Sequence, residues 1–461
     1  MRSRIAGATA LSTAMICGLT LMTAAPAAAK APARPYDFNG DGRRDIAIGS
    51  PDGTAGGRRA AGFVSVALGT AKGFARPKVI GQAGSAVPGS AETGDRFGAA
   101  LASADFNRDG YADLAVGAPG ENQGAGIVTI LWGSPSGLGR ASTRGEGSAA
   151  GVRHRFGQSL AAGDVQGDGA PELFVSVPGT DRFTWISFTG KGGSQKVTGR
   201  YVDGTWLATG DVNGDGRGDV VSAWYDTNGP EVNRRRGFTV FLGGADGRLT
   251  KSTTVYAPVH ALAVADYDGD RRADVAVGDT FDRPSTGGRV TVHRGSWLGV
   301  GSPYAIDQRT SGVPGLGVNE DDFGASLAVG DANGDGRADL AVGAPKADVG
   351  SAPDAGRAYV LFGSASGLTG RGARAVSQNS GGVPGGAEDY DLFGHAVSLL
   401  DHNGDGRADL GIGAPGENGD SGSVTVVRGS SAGLSSQASG YTPGSFGART
   451  GGARLGAVIG G

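Results

Sequence analysis

The sequence predicts an all-β chain: seven repeats of a four-stranded antiparallel sheet, packed radially as a propeller or array. Three observations predict it. An acidic nine-residue phrase recurs seven times, beginning at Asp37, Asp105, Asp164, Asp211, Asp266, Asp331 and Asp401. Successive starts lie 47 to 70 residues apart, room for four short strands per unit, and such a period marks stacked repeat architectures. Glycine supplies 89 of 461 residues without a Gly-X-Y period. That excess fits many tight turns, because glycine adopts positive φ at no steric cost.

The unit around the second phrase shows the elements in order. Phe97, Ala99, Leu101 and Ser103 alternate with their neighbours and predict a first strand. The acidic phrase follows as a loop. Leu114 to Pro119 reads "LAVGAP", nearly all apolar, and predicts a second strand buried on both faces. "ENQGAG" is a turn, and Ile127 to Gly133 is a third strand. "SPSGL" is a second turn, echoed by "GSASGL" at Gly363 and "GSSAGL" at Gly429. A weaker fourth strand completes the unit. Four short strands cannot bury both faces alone, but sheets packed radially against one another can.

The loop carries the chemistry. Carboxylates or amides fall at positions 1, 3, 5 and 9, with Gly at 6, so oxygens wrap around one point. That pattern suits Ca²⁺, which takes six to eight oxygens in a flexible shell. The predicted ligands of the first loop are Asp37, Asn39, Asp41, Asp45 and the backbone carbonyl of Arg43. Those of the second are Asp105, Asn107, Asp109, Asp113 and the carbonyl of Tyr111. The third offers Asp164, Gln166, Asp168 and Glu172, with two side chains longer than the pattern, and is the weakest. The fourth offers Asp211, Asn213, Asp215, Asp219 and the carbonyl of Arg217. The fifth has four carboxylates, Asp266, Asp268, Asp270 and Asp274, but Arg271 where Gly belongs. The sixth offers Asp331, Asn333, Asp335, Asp339 and Arg337; the seventh offers Asp401, Asn403, Asp405, Asp409 and Arg407. An EF-hand is excluded, because position 12 is never Glu and strands, not helices, flank the loop. The loops hold 22 of the 45 acidic residues, whose mutual repulsion a bound cation would reverse.

Residues 1–29 read as a secretory signal peptide: Arg2 and Arg4, an apolar stretch from Ile5 to Leu21, then Ala27 and Ala29 as an A-x-A cleavage site. The remaining 30–461 would be one secreted, extracellular domain, monomeric and without a membrane insertion. The only cysteine, Cys17, lies in the leader without the small residues of a lipid-anchor site, so no disulfide holds the mature chain. Calcium would act as its staple. Without Arg2 and Arg4 the chain carries 40 basic against 45 acidic residues, which gives no electrostatic case for nucleic acid.

The combined pattern "FG…D-x-N-x-D-G-x-x-D…GAP" resembles the FG-GAP repeat of the integrin α-subunit β-propeller. Phe-Gly stands eight residues before the loop at Phe97, Phe156, Phe323 and Phe393, and Gly-Ala-Pro closes the second strand at Gly117, Gly343 and Gly413. The resemblance implies a seven-bladed propeller, Ca²⁺ between the first two strands of a blade, and partner binding on the opposite face. Units three to five depart from it: Asp203-Gly204 and Pro258-Val259 replace Phe-Gly, and "SVP", "AWY" and "GDT" replace Gly-Ala-Pro. No Phe-Gly precedes the first loop. Phe446-Gly447 near the chain end supplies one, so the last segment is expected to close the ring as the inner strand of the first blade.

The leading functional reading is a calcium-stabilised binding or adhesion module for an extracellular protein or polysaccharide. The alternative is a secreted propeller enzyme, a hydrolase or lyase acting on polysaccharide, since one fold hosts many functions. The five histidines recur in no motif, and no G-x-S-x-G or H-E-x-x-H occurs, so no catalytic residue is assigned. Arg217-Gly218-Asp219 spells an adhesion tripeptide but falls within the fourth loop and reads as structural. The candidate partner-binding residues are Trp224 and Tyr225, which could stack on a sugar, and the basic run Arg234, Arg235 and Arg236. They belong to the rim opposite the loops, whose entry turns are acidic at Glu92, Asp95, Glu320 to Asp322 and Glu388 to Asp391.

Overall fold

The structure is a computed structural model that describes residues 32–145, 153–178, 180, 182–188, 193–196, 206–225, 235–280, 287–318, 320–449 and 451–461. The proposed leader therefore lies outside the described residues. Seven four-stranded antiparallel sheets form a seven-bladed β-propeller. Blade 2 has strands Ala100–Ala104, Asp113–Ala118, Ile127–Leu131 and Ala141–Gly145 in that spatial order, and blades 3 to 7 repeat the scheme.

Burial follows position in the blade. Asp113–Ala118, Asp339–Ala344 and Asp409–Ala414 are buried at every residue, because each second strand is covered on both faces by neighbouring sheets. The fourth strand of blade 1, Gly73–Ile80, is mostly open to solvent along its length. The core accordingly lies between blades. One apolar cluster joins Val290 and Val292 of blade 5 to Leu340, Val342 and Tyr359 of blade 6.

Phe-Gly and Gly-Ala-Pro form successive parts of one inter-blade contact. Phe97, Phe156, Phe323 and Phe393 are all buried. The Phe97 amide donates to the Ala61 carbonyl of the preceding blade, 2.9 Å, and the Gly98 amide donates to Gly117, 3.0 Å. A Cβ on Gly117 would sit 2.0 Å from the Gly157 carbonyl oxygen of the next blade, so only glycine fits. Units three and four place Ser176 and Ala223 in the corresponding second-strand region, where the motif was not legible.

The chain end closes blade 1. Val458–Ile459 pairs antiparallel with Gly49 and Ile48, inside strand Ile46–Ser50. The residue expected to open this segment is a different one. Phe446 ends a short 3-10 turn, Pro443–Phe446, and is buried with Ile46, Ile48 and Tyr441. Leu455-Gly456 takes the Phe-Gly role: Leu455 bridges Gly422 as Phe97 bridges Gly62, and is fully buried. A leucine fills the pocket that phenylalanine fills elsewhere, so the motif is invisible in the sequence there.

Candidate metal loops and the opposite rim

Each loop is folded by its own side chains. The Asp37 carboxylate accepts the amides of Asp41 and Gly42 at 3.0 and 2.9 Å. Asn39 Oδ1 accepts the Asp41 amide at 3.1 Å, and Asp41 Oδ1 accepts the Arg43 amide at 2.9 Å. The sixth and seventh loops repeat these bonds through Asp331, Asn333 and Asp335, and through Asp401, Asn403 and Asp405. The second does so through Asp105, Asn107 and Asp109, and the fourth through Asp211, Asn213 and Asp215. Position 6 is left-handed in all seven: Gly42, Gly110, Gly169, Gly216, Arg271, Gly336 and Gly406. Position 4 is left-handed too, and there Arg108 is the residue without glycine's freedom.

The carboxylate at position 9 is a buried hub. Asp45 accepts the Phe38 amide on one oxygen and the Gly69 amide of the third strand on the other, both at 2.8 Å. Asp113, Asp219, Asp339 and Asp409 repeat this double bond with Gly133, Gly243, Gly363 and Gly429. Burial pushes Asp45 and Asp113 up to about 7, and Asp219, Asp274, Asp339 and Asp409 up to about 6, against the opposing effect of the amides.

The loops are also joined to one another. The amide at position 8 donates to the carbonyl at position 1 of the preceding loop: Ala112 to Asp37, Gly218 to Asp164, Ala273 to Asp211, Ala338 to Asp266, and Ala408 to Asp331. Arg44 to Asp401, 2.9 Å, carries the series across the closure. The third loop has Pro171 at position 8, which has no amide hydrogen to give.

The donor set fits Ca²⁺ in its chemistry, with carboxylate, amide and carbonyl oxygens only; among the described loops the fifth alone brings three carboxylates together. The fifth loop gives the clearest test. Oxygens of Asp266, Asp268 and Asp270 all lie within 4.8 Å of one another. Asp274 stands outside that set, bonded to the Gly295 amide at 2.9 Å, and its other oxygen is buried without a partner. Arg294 approaches Asp268 at 3.6 Å. The third loop differs as its composition suggests. Gln166 donates to Glu172, which ties the two long side chains together, while the Gln166 amide oxygen is buried without a partner. Burial raises Glu172 as well.

On the opposite rim, part of the expected partner-binding set is not available. Trp224 is only 6% exposed; its indole donates to Thr239 Oγ1 at 3.2 Å, and its ring meets Tyr256 edge-on at 5.3 Å. Its place on a central strand puts it in the core rather than on a binding surface. Tyr225 is half-buried beneath the Arg236 guanidinium, and Arg235 lies over Tyr256. Arg234 lies outside the described residues. A cleft of about 450 Å³ opens between blades 2 and 3, lined by Arg96, Arg153, Arg155, Gln123 and Gln158.

The FG-GAP repeat family matches residues 35–66, 97–131, 323–361 and 393–427, and the FG-GAP-like repeat matches 164–222 and 211–277. Every acidic loop falls inside a match. The chain belongs to the FG-GAP repeat family. This FG-GAP propeller is 30% identical over 223 residues to the phosphatidylinositol-glycan-specific phospholipase D of Bos taurus, 45% of this chain and 25% of that protein. It is 36% identical over 155 residues to integrin alpha-IIb of Mus musculus, 32% of this chain and 14% of that protein. The chain thus spans a quarter or less of these relatives. A solved Agrocybe aegerita structure describing recognition of non-reducing terminal N-acetylglucosamine aligns over 91% of this chain and 94% of that one, at 15% identity and a TM-score of 0.48.

Three features of the FG-GAP propeller escaped the sequence reading. The third-strand glycine recurs 20 to 24 residues after position 9, from Asp45 to Gly69 or Asp113 to Gly133, and that spacing was a usable signal. A Cβ on Gly363 would sit 2.4 Å from the Ala338 oxygen, which explains the residue. The head-to-tail bonding of the loops uses backbone groups alone and leaves no side-chain trace except Pro171. The arginines of the cleft come from separate segments and form no run.

Proposed function

We propose that this FG-GAP propeller is a secreted, calcium-stabilised binding or adhesion module whose rim opposite the loops receives an extracellular protein or polysaccharide. The observation that carries the reading is the loop geometry repeated around the ring. Asp37, Asn39, Asp41 and Asp45, with their counterparts in the other loops, would hold the ions through side-chain oxygens, and Arg43, Tyr111, Arg217, Arg337 and Arg407 through their backbone carbonyls. Bound Ca²⁺ supplies positive charge that offsets the crowded carboxylates.

The chain's own residues do the rest. Position 1 fixes the turn, position 9 ties the loop to the third strand, and position 8 ties it to the preceding blade. Such a scaffold holds its outer turns in place, and loops on a rigid scaffold are where recognition residues concentrate. The cleft with Arg96, Arg153 and Arg155 offers cationic donors suited to acidic or hydroxyl-rich ligands.

The test is melting in EDTA and after Ca²⁺ is restored, followed by binding to arrayed glycans and purified extracellular proteins. Ligand binding to the native state alone raises stability by about 2.7 kcal/mol per site at a hundredfold excess over Kd. A clear drop in Tm on chelation, reversed by Ca²⁺, is expected. An unchanged Tm after exhaustive chelation removes the calcium part of the reading. Arg153→Ala with Arg155→Ala should weaken binding and leave Tm unchanged; full binding by that variant moves the partner site elsewhere.

A further inference from the structure

The cleft between blades 2 and 3 is built from three segments. Arg96 belongs to the turn that enters blade 2, Gln123 and Gly124 to the turn after that blade's second strand, and Arg153, Arg155 and Gln158 to the entry of blade 3. Backbone bonds hold the segments together. The Gly120 amide donates to the Asp95 carbonyl at 3.0 Å, and the Arg155 amide to the Gly124 carbonyl at 2.9 Å. The cavity is therefore preformed, and its volume of about 450 Å³ is that of a small-ligand site.

Its charge is reversed relative to the equivalent junctions. Two residues before Phe, three of the four Phe-Gly blades place a carboxylate: Asp95, Asp321 and Asp391. Blade 3 has His154 there, between Arg153 and Arg155. The junction of blades 7 and 1 shows a second difference. Arg454 stands where Arg155 does, and its amide donates to Asp420 as that of Arg155 donates to Gly124. Asp420 answers Arg454 with a carboxylate at 3.8 Å; Gly124 has no side chain to do so. Among the described residues that line the cleft there is no Asp or Glu. Arg96 does pair at 3.3 Å with Asp52, which is outside the lining, but both side chains are open to water, and such pairs are weak.

Two features place side chains in the cleft. A Cβ on Gly124 would sit 3.2 Å from Arg153 Cγ, so this glycine makes room for the arginine stem to lie against the turn of blade 2. Gln123 holds a left-handed backbone, φ 61°, where the matching turn of blade 7 has Gly419. A side chain at such a position costs energy that glycine does not. The turn itself does not require one, since Gly419 serves in blade 7, and Gln123 is exposed and packs no core. The strain is kept for a side chain that lines the cleft.

We propose that this cleft binds a carboxylate-bearing sugar of an acidic polysaccharide, with the guanidiniums of Arg153 and Arg155 on the carboxylate and the amides of Gln123 and Gln158 on neighbouring hydroxyls. Guanidinium forks match the planar carboxylate, and an amide both donates and accepts, as a hydroxyl requires. An acidic protein segment is the poorer fit. Protein interfaces are anchored by buried aromatic and apolar side chains, and Pro119 is the one bulky apolar residue among the described lining. The proposal rests on the reading that this rim receives the partner, and adds what the partner carries.

The probe is a glucuronate-containing tetrasaccharide, titrated calorimetrically against the full chain in saturating Ca²⁺. Beside it run the same tetrasaccharide with its carboxyl groups reduced to alcohols, and an oligoglutamate of equal charge. The acidic sugar should bind at least about tenfold more tightly than its reduced form, the effect of one charge-assisted hydrogen bond. Arg153→Ala should lose most of that preference. Gln123→Gly should weaken binding and raise Tm, opposite effects that a merely structural glutamine would not give. Arg454→Ala, at the junction where Asp420 answers the charge, should bind as the unmodified chain does. No binding of the acidic sugar, equal affinity for its reduced form, or tighter binding of oligoglutamate overturns the proposal. None of these results touches the module reading, which melting and the wider binding survey decide.

Discussion

Arg271 holds a left-handed backbone, φ 70°, at the position where the other six loops have glycine. A side chain there costs energy that glycine does not, and the guanidinium is exposed, so little packing is lost by removing it. Arg271→Gly should stabilise the chain by about 1 kcal/mol, read as a raised Tm. A second residue with a measurable signature is His293. It is 5% exposed, its ring meets Phe238 edge-on at 5.1 Å, and burial lowers its basicity from the ordinary 6.5. The folded state therefore binds fewer protons at this site than the unfolded state does. Stability from this residue is present above pH 6.5 and is lost as pH falls below that value. With Ca²⁺ held saturating, His293→Leu should lose less Tm than the unmodified chain between pH 6.5 and pH 5.

The loop, hub and third strand act as one element. Asp339 joins the Ala332 amide of the loop to the Gly363 amide of the third strand at 2.9 Å each. Asp339→Asn would turn an NH₂ group toward one of these donors and leave a buried amide unpaired, at a cost of about 1–3 kcal/mol, measurable by urea unfolding. The loops and second strands were legible in the sequence because side chains build them: carboxylates write the turn, and burial on both faces writes an unbroken apolar run. The third-strand glycines were less legible, since a residue chosen for what it lacks looks like any other glycine in a chain with 89. Trp224 misled because an aromatic at a strand end reads alike whether it faces solvent or a neighbouring strand. Only pairing with Gly237 and contact with Tyr256 place it inside.

At the scale of the molecule, closure rests on few residues. Val458–Ile459 covers the inner edge of Ile46–Ser50, and Leu455 is fully buried between blades. Removing Arg454 to Gly461 would expose that strand edge, and exposed edges pair with other chains. The truncated chain should aggregate or unfold without a single cooperative transition, by light scattering and calorimetry; a soluble truncation of equal Tm argues against this account of closure.

Pro171 gives the ring a place to fail. A hoop whose segments are each fastened to both neighbours shares any load around its circumference and has no preferred crack. One absent fastening, between the second and third loops, concentrates the strain of thermal breathing there. Opening would then begin as a split between blades 2 and 3 and travel outward, rather than as random fraying. Amide exchange followed by mass spectrometry should show Leu160–Gly163 and Glu172–Val177 losing protection before the matching strands of blade 6, Ser326–Gly330 and Asp339–Ala344. Equal protection in the two blades would mean that the side-chain packing between blades, and not the backbone fastening, carries the load.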